Sequence, residues 1–472
     1  MVRETGKRTG THSTRRRFIQ ATGVGTVVAL AGCTGGDGGD GGDGGGGGGG
    51  DGGDGGDGGG DGGGGDGGST GGGGGGTIRY LSDRGDSKQV MDQIIAEFED
   101  QSDYEVEMIY TAKGTSSDAE MQKMVAAGNP PDILFDTSTD AYRLQRDGVL
   151  APLTSAVSDN DLPDPVSVGG ESYFAAAIVE PLMGWYRNDI YDENPETWAG
   201  WLAAAEEVTA GGDLDGYIVQ SGQTNNADTQ MTQYLWQNDV QIYGGPSDNI
   251  EVTVDSGDNR AAAIETFEWV QQMAEFSPNG SGWEWGDAIG ALQQENAAAG
   301  VSVGGLPMLI ISGNRPDLVE KFSPMPFPVP DGKAQDKWWA YMEGHLVRND
   351  GQATEGAQEF VNFFNQSEKF FDFVLSAPLF QFPPSRDQLD SDAVKNNETL
   401  NQFPEVLQLV KDNWDVFTSV LATGDDGAPN IVAADAYGSQ VFGQAADQLL
   451  VGGRSPEETV DWLGEKLRSL QG

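Results

Sequence analysis

The sequence predicts an α/β protein built on mainly parallel sheet with helices on its faces. Three observations carry this reading. From residue 77 onward the apolar pattern alternates between a strand period and a helix period in the order β-α-β-α-β. The 472-residue chain, 37% apolar and 9% aromatic, is long enough to bury the cores of two or three lobes. Its C-terminal segment reads as an amphipathic helix with a complete start signal, so the chain ends packed.

The elements follow in order. Ile78, Tyr80 and Leu81 predict a short strand, and Met91, Ile94, Ile95 and Phe98 fall on one face of a helix. A strand over 106–110 comes next. A helix carrying Met121, Met124 and Val125 then stops at Gly128-Asn129-Pro130-Pro131 and leads into the strand Ile133-Leu134-Phe135. Loops at the carboxyl ends of such strands form the ligand crevice, which places it at 82–87 and 136–139. Near the other end, Ser455 is an N-cap, Pro456 the first helical residue, and Val460, Leu463, Leu467 and Leu470 share a face.

Charge is the most extreme property of the chain. Lys plus Arg number 27 against 74 Asp plus Glu, a net charge of −47. A surface of that sign excludes nucleic acid as a partner. Self-repulsion on this scale is tolerable where salt screens it within a few ångströms, which fits an extreme halophile, as does the scarcity of Lys (11) beside Arg (16).

The N-terminal segment reads as an address. Arg15, Arg16 and Arg17 follow Ser13-Thr14 and precede Phe18-Ile19, and the segment resembles a twin-arginine export signal. The apolar stretch over 18–31 is too short to span a bilayer. Leu30-Ala31-Gly32-Cys33 resembles a lipobox, which makes residues 1–32 a signal peptide and Cys33, the only cysteine, a lipid attachment point. A lone cysteine also forbids any disulfide within the chain. Residues 34–76 are almost wholly Gly and Asp, with nothing apolar to bury, so 33–76 reads as a flexible tether. A Gly-rich coil of this length spans roughly 35 Å on average.

Several ordered segments carry a resemblance to one family. They are Ala126-Ala127-Gly128-Asn129-Pro130-Pro131-Asp132-Ile133, Gly148-Val149-Leu150-Ala151-Pro152-Leu153, Glu180-Pro181-Leu182 through Tyr186-Arg187-Asn188, Pro195-Glu196-Thr197-Trp198, and Gly453-Arg454-Ser455-Pro456-Glu457-Glu458. Together they resemble the family 1 extracellular solute-binding proteins of ABC importers, of the maltose and sugar type, over most of residues 77–472. The resemblance implies a two-lobe periplasmic-binding-protein-like fold (type II), each lobe a mainly parallel sheet flanked by helices, joined by crossover strands. Crossings are expected near 178–183, 327–332 and 381–385, giving a first lobe of 77–180 plus about 330–382 and a second of about 184–326 plus 383–472. It implies a monomer on the outer face of the cell membrane, passing a small-molecule solute to ABC permease subunits.

Sugar recognition needs flat apolar faces for C–H groups and planar polar groups for hydroxyls. Trp283-Glu284-Trp285-Gly286-Asp287 and Trp338-Trp339-Ala340-Tyr341-Met342-Glu343-Gly344-His345 offer such mixtures, so Trp283, Trp285, Trp338, Tyr341 and Glu343 are candidate lining, with ordinary core packing as the alternative. The resemblance adds Glu180 as an acceptor from sugar hydroxyls, Asp136 and Thr137 after the third strand, Arg84 and Asp86 after the first, and Tyr437 on a late helix. It departs at Leu306, where the family usually has a tryptophan. Gln223, Asn225 and Asn226 form a polar loop within reach of hydroxyls.

Most enzyme classes are excluded. His345 is the only imidazole beyond the signal, Cys and His are too few for typical zinc sites, and no nucleophile elbow or phosphate-binding Gly-Lys-Ser/Thr run occurs. No cofactor or metal is expected. A two-carboxylate glycosidase using Glu284, Asp287 or Glu343 survives on composition alone, as does a lipid-anchored adhesin. A polyamine stays open as an alternative solute, since acids beside Trp walls also suit a cation, and a glycerol phosphodiester is a further alternative.

Overall fold

The structure, a computed structural model, describes residues 75–111, 117–153, 166–212, 214–421 and 429–471. Arg15, Arg16, Arg17, Cys33 and the tether up to residue 74 lie outside the described residues.

The main sheet is made of β1 (Thr77–Ser82), β2 (Glu105–Tyr110), β3 (Ile133–Thr137), β4 (Ala175–Arg187), β5 (Ala299–Val303), β6 (Phe322–Met325), β7 (Trp338–Val347) and β8 (Phe417–Thr418). Its order is β5-β4-β7-β3-β1-β2, with β6 also on β4 and β8 on β7. The three N-terminal strands are parallel, Ile78 opposite Val106 and Tyr80 opposite Ile133. β7 then adds antiparallel to β3, and β4 antiparallel to β7.

β4 determines the architecture. Its first half, to Pro181, pairs with β7, and its second half, from Leu182, pairs with β5 and β6. The partner change falls at a proline, which has no N–H for a continuous ladder. The stretch 327–332 packs against the helix Trp198–Ala210, where the Trp198 indole donates to the Pro328 carbonyl (2.9 Å) and Val329 accepts the Trp198 N–H (2.8 Å). β7 follows it back toward β3. A further segment returns at Phe382, which exchanges both backbone hydrogen bonds with Val179 (2.8 and 2.9 Å).

The apolar periodicity explains the cores. On the helix Lys88–Glu99, Met91, Ile94, Ile95 and Phe98 are all buried and meet Ile78, Tyr80, Phe135, Phe360 and Phe364. Each such side chain contributes roughly 1.5–3 kcal/mol. On the helix Ser117–Ala126, Met121 and Met124 are buried while Val125 is solvent-exposed. A larger core lies beyond the partner change in β4. There Trp198 stacks on Trp269 (4.8 Å between rings), and Trp201, Tyr217, Tyr234 and Phe327 close around them. The helix Pro456–Arg468 opens with Ser455 and Glu458 in a reciprocal capping box and buries Val460, Leu463 and Leu467 in this core, with Leu470 packed beside them. Among the described residues no helix is long and apolar enough to cross a membrane.

Candidate functional site

Strand geometry selects the site. Side chains alternate faces along β7, so Trp339, Tyr341 and Glu343 share one face while Trp338, Ala340 and Met342 take the other. Opposite Tyr341 on β4 stands Glu180, and opposite Glu343 on β3 stands Thr137. Four candidates thus meet on one face, with Glu180 and Glu343 diagonal neighbours. The β4–β7 register shifts between Glu343 and Gly344. A Cβ at Gly344 would lie 2.1 Å from the Ala175 carbonyl oxygen, so this irregularity, which re-aims Glu343, requires glycine.

Arg84 enters from the loop after β1. Its N–H is held by the Ser82 hydroxyl (3.0 Å), and its carbonyl accepts the Ser87 hydroxyl (3.0 Å). The guanidinium Nη1 donates to Glu343 Oε2 (2.9 Å) and to Glu180 Oε1 (3.2 Å), and Nη2 donates to Asp86 Oδ2 (3.4 Å). The Gln381 amide oxygen faces the guanidinium and accepts from Arg84 Nη1 (3.2 Å), its amide nitrogen donates to the Val374 carbonyl (3.3 Å), and the Phe380 ring lies 5.6 Å from the guanidinium. One cation therefore ties together the paired strands β4 and β7 and the returning segment beside Phe382. Glu180 is 2% exposed and Arg84 9%.

Burial sets the protonation of this cluster. Loss of water pushes the Glu180 carboxyl up to about 7, with Arg84 opposing the rise. Burial, then the Glu180 charge, pushes Glu343 well above the carboxylate range. Burial works against the Arg84 cation, but Glu343, Glu180 and Asp86 outweigh it and hold it charged.

Beside the charges stand aromatic rings. Tyr341 lies 6.3 Å from Tyr437, on the helix Ile431–Ser439, and Trp339 backs both at 5.6 and 5.7 Å. Trp339 and Gln381 were not among the predicted site residues. Alternation counted from Glu343 finds Trp339, whereas Gln381 comes from a distant segment and carries no local signal. Trp338, expected as lining, is core: it is 1% exposed, lies edge-on to Phe417 at 5.5 Å, and its indole N–H donates to the Leu182 carbonyl. It is three residues from Tyr341 and so points to the opposite face.

Thr137, opposite Glu343, is also engaged in a helix cap, and the remaining candidates lie outside this cluster. Thr137 caps the helix Ser138–Arg146 by accepting the Asp140 N–H (3.2 Å), while Asp136, opposite Gly344, accepts the Thr137 N–H (2.8 Å). Trp283 is half-buried, its carbonyl accepting from Gln220 (3.1 Å), and Trp285, 38% exposed, opens the helix Trp285–Gln293. Glu284 and Asp287 form the capping box of that helix, Asp287 accepting the Glu284 N–H at 3.0 Å. Asn225 and Asn226, expected in a polar loop, instead open the helix Asn225–Gln237; Asn225 accepts from Gln440 (2.7 Å), and Asn226 is buried with its amide nitrogen unpartnered. Among the described residues no group of three His, Cys, Asp or Glu side chains is arranged to hold a metal ion.

A sheet whose long strand serves two sets of partners, with a charged and aromatic cluster at the change, defines a two-lobed α/β solute binder. Residues 82–369 match the bacterial extracellular solute-binding protein family, and the chain belongs to it. Three solved structures show the fold. The GacH receptor of Streptomyces glaucescens, known unliganded and with acarbose, is 16% identical, with a TM-score of 0.66 over 84% of this chain and 98% of its own. Maltose-bound T. maritima MalE3 is 18% identical, TM-score 0.65, over 84% and 100%. An Arthrobacter chlorophenolicus sugar transporter with bound laminaribiose is 14% identical, TM-score 0.68, over 84% and 100%.

Proposed function

We propose that this protein captures a sugar or oligosaccharide outside the cell and hands it, unchanged, to the permease of an ABC importer. The observation that carries the reading is the Arg84–Glu180–Glu343 cluster beside Tyr341 and Tyr437: hydrogen-bonding planes next to ring faces, where β4 changes partners. The relatives of this fold bound to acarbose, maltose and laminaribiose support it. Binding without chemistry is favoured over a glycosidase because Glu284 and Asp287 are spent on a helix cap and Glu343 is bonded to Arg84. A glycerol phosphodiester would bring an anion to two carboxyls, which disfavours it. Arg84, Asp86, Thr137, Glu180, Tyr341, Glu343 and Tyr437 are the residues assigned to the solute.

A thermal-shift screen over sugars and polyols in molar salt tests this, with reducing ends assayed in parallel. A melting temperature raised by a sugar that is recovered intact supports binding; steady release of new reducing ends establishes the glycosidase instead. With the best ligand, Tyr437→Leu is expected to lower affinity by about 1–3 kcal/mol. Calorimetry showing unchanged affinity removes Tyr437 from the site.

We further propose a lipid anchor at Cys33 and folded export through the arginine signal, supported by the lipobox-like Leu30-Ala31-Gly32-Cys33 and by Arg15, Arg16 and Arg17. Cys33→Ser is expected to shift the protein from the membrane fraction to the medium or to an unprocessed precursor. A membrane-bound, processed Ser variant places the anchor elsewhere.

A further inference from the structure

The charges at the strand change do not balance. Glu180, Glu343 and Asp86 all reach the Arg84 guanidinium, two of them through the same nitrogen, and Asp83 stands one residue away on the same loop. Among the described residues, every other side chain shown in contact with the cluster is neutral: Gln381, Phe380 and Tyr341. Three carboxylates against one cation leave an uncompensated negative charge where Glu180 is almost wholly out of water, and a buried charge without a partner is costly. The cluster also has an open side. The Glu343 and Asp86 side chains are 18% and 28% exposed, against 3% for Glu180. Tyr341, cross-strand from Glu180, and Tyr437 add ring faces, which attract cations as well as C–H groups.

We infer that the solute is a cationic carbohydrate, a sugar or cyclitol bearing a protonated amine, whose ammonium is held by Glu343 and Asp86 while its ring lies along Tyr341 and Tyr437. This rests on the proposal that the site takes sugars, and it narrows that proposal by charge. Without such a solute the same imbalance is relieved by a proton, in keeping with the upward shifts of Glu180 and Glu343, whose facing groups are Arg84, Asp86, Asp83 and each other. Solute and proton then compete. Binding of the amine releases a proton near neutral pH, and affinity rises with pH until the amine itself loses its charge. A neutral sugar has no such linkage.

The test is titration calorimetry on the full chain in molar KCl, with neutral sugars paired with their 2-amino-2-deoxy counterparts. The pairs are glucose and glucosamine, galactose and galactosamine, and cellobiose and the β-1,4-linked glucosamine dimer, each member of a pair differing only in amine for hydroxyl. At least one amine is expected to bind ~10- to 100-fold tighter than its partner, the range of a charge-assisted hydrogen bond. Its apparent enthalpy is expected to vary with the ionisation enthalpy of the buffer, reporting proton release. Glu343→Gln is expected to weaken both members of a pair but the amine far more, so that most of the amine's preference over its neutral partner is lost; a preference that survives the substitution removes Glu343 from ammonium recognition. Equal affinity within every pair overturns the inference and leaves the sugar reading intact. Binding of no member of any pair overturns the inference, and the thermal-shift screen over the wider set of sugars and polyols then decides the sugar reading. The proton measurement is made on the unmodified protein, so a Glu343→Gln chain that fails to fold leaves the test decisive.

Discussion

Replacing His345 by Phe is expected to abolish a loss of stability that sets in below about pH 6.5 and amounts to roughly 4–5 kcal/mol by pH 3. His345 is fully buried on β7, opposite Phe135, and packs against Phe364 (4.5 Å), Phe135 (5.3 Å) and Tyr80 (5.7 Å). Neither ring nitrogen has a hydrogen-bond partner. Burial alone lowers its pKa from 6.5 to about 3. The unfolded chain therefore binds a proton that the folded chain refuses. The neutral ring's contribution is fully present above the unfolded pKa and is lost as pH falls toward 3, each pH step of one between the two pKa values costing about 1.36 kcal/mol. Phenylalanine fills the aromatic cage without a titrating group, so denaturant melts in molar salt should show a raised midpoint in acid. At neutral pH the variant should gain on the order of 1 kcal/mol by deleting two unpaired nitrogens. An acid response equal to wild type means the imidazole finds a partner or water on protonation.

The elements of the fold were legible because their signals are local. Period and cap residues placed β1 through β3, the helix Lys88–Glu99 and the last helix, and Pro181 stands where β4 changes partners. The convergence of candidate residues on one sheet face was legible as far as strand parity was respected. Tyr341, Glu343 and Glu180 converge because odd positions on β7 face the same way as Glu180 on β4, and Trp338 fails on that same parity. Arg84 was visible as a loop residue, but its convergence with Glu180 and Glu343 depends on a contact 96 residues along the chain and another 259 residues along it. Gln381 is a further such case. Neither pattern nor propensity encodes pairings at that separation; the sheet order does.

The second large effect is expected at Asp228, with the opposite slope. Asp228 lies on the helix Asn225–Gln237 and is fully buried. Its Oδ1 accepts the backbone N–H of Phe442 (2.8 Å) and of Gly443 (3.3 Å), in the first turn of the helix Val441–Leu450. That helix needs an outside cap, because Gln440 before it is left-handed (φ 54°) and its side chain is turned to Asn225. Oδ2 has no partner. Burial pushes the carboxyl from 3.8 up to about 8, with the two N–H groups opposing the rise. A folded pKa above the unfolded one makes the contribution fully present below about pH 3.8 and progressively lost as pH rises through 8, on the order of 5 kcal/mol in all. Between pH 4 and 6.5 this slope opposes that of His345, so the wild type should look flatter there than either variant. Asp228→Asn keeps the acceptor and cannot ionise. Its advantage over wild type should widen from pH 4 to 8 and then level off. Asp228→Leu leaves two N–H groups unpaired and should lose about 1–3 kcal/mol for each, reducing stability relative to Asp228→Asn at every pH. Because Gln440 directly follows the helix that carries Tyr437, the Leu variant should also bind the sugar more weakly than the Asn variant does. A constant gap between wild type and Asn from pH 4 to 9 would show that the carboxylate is ionised inside the fold, with a compensating partner at Oδ2.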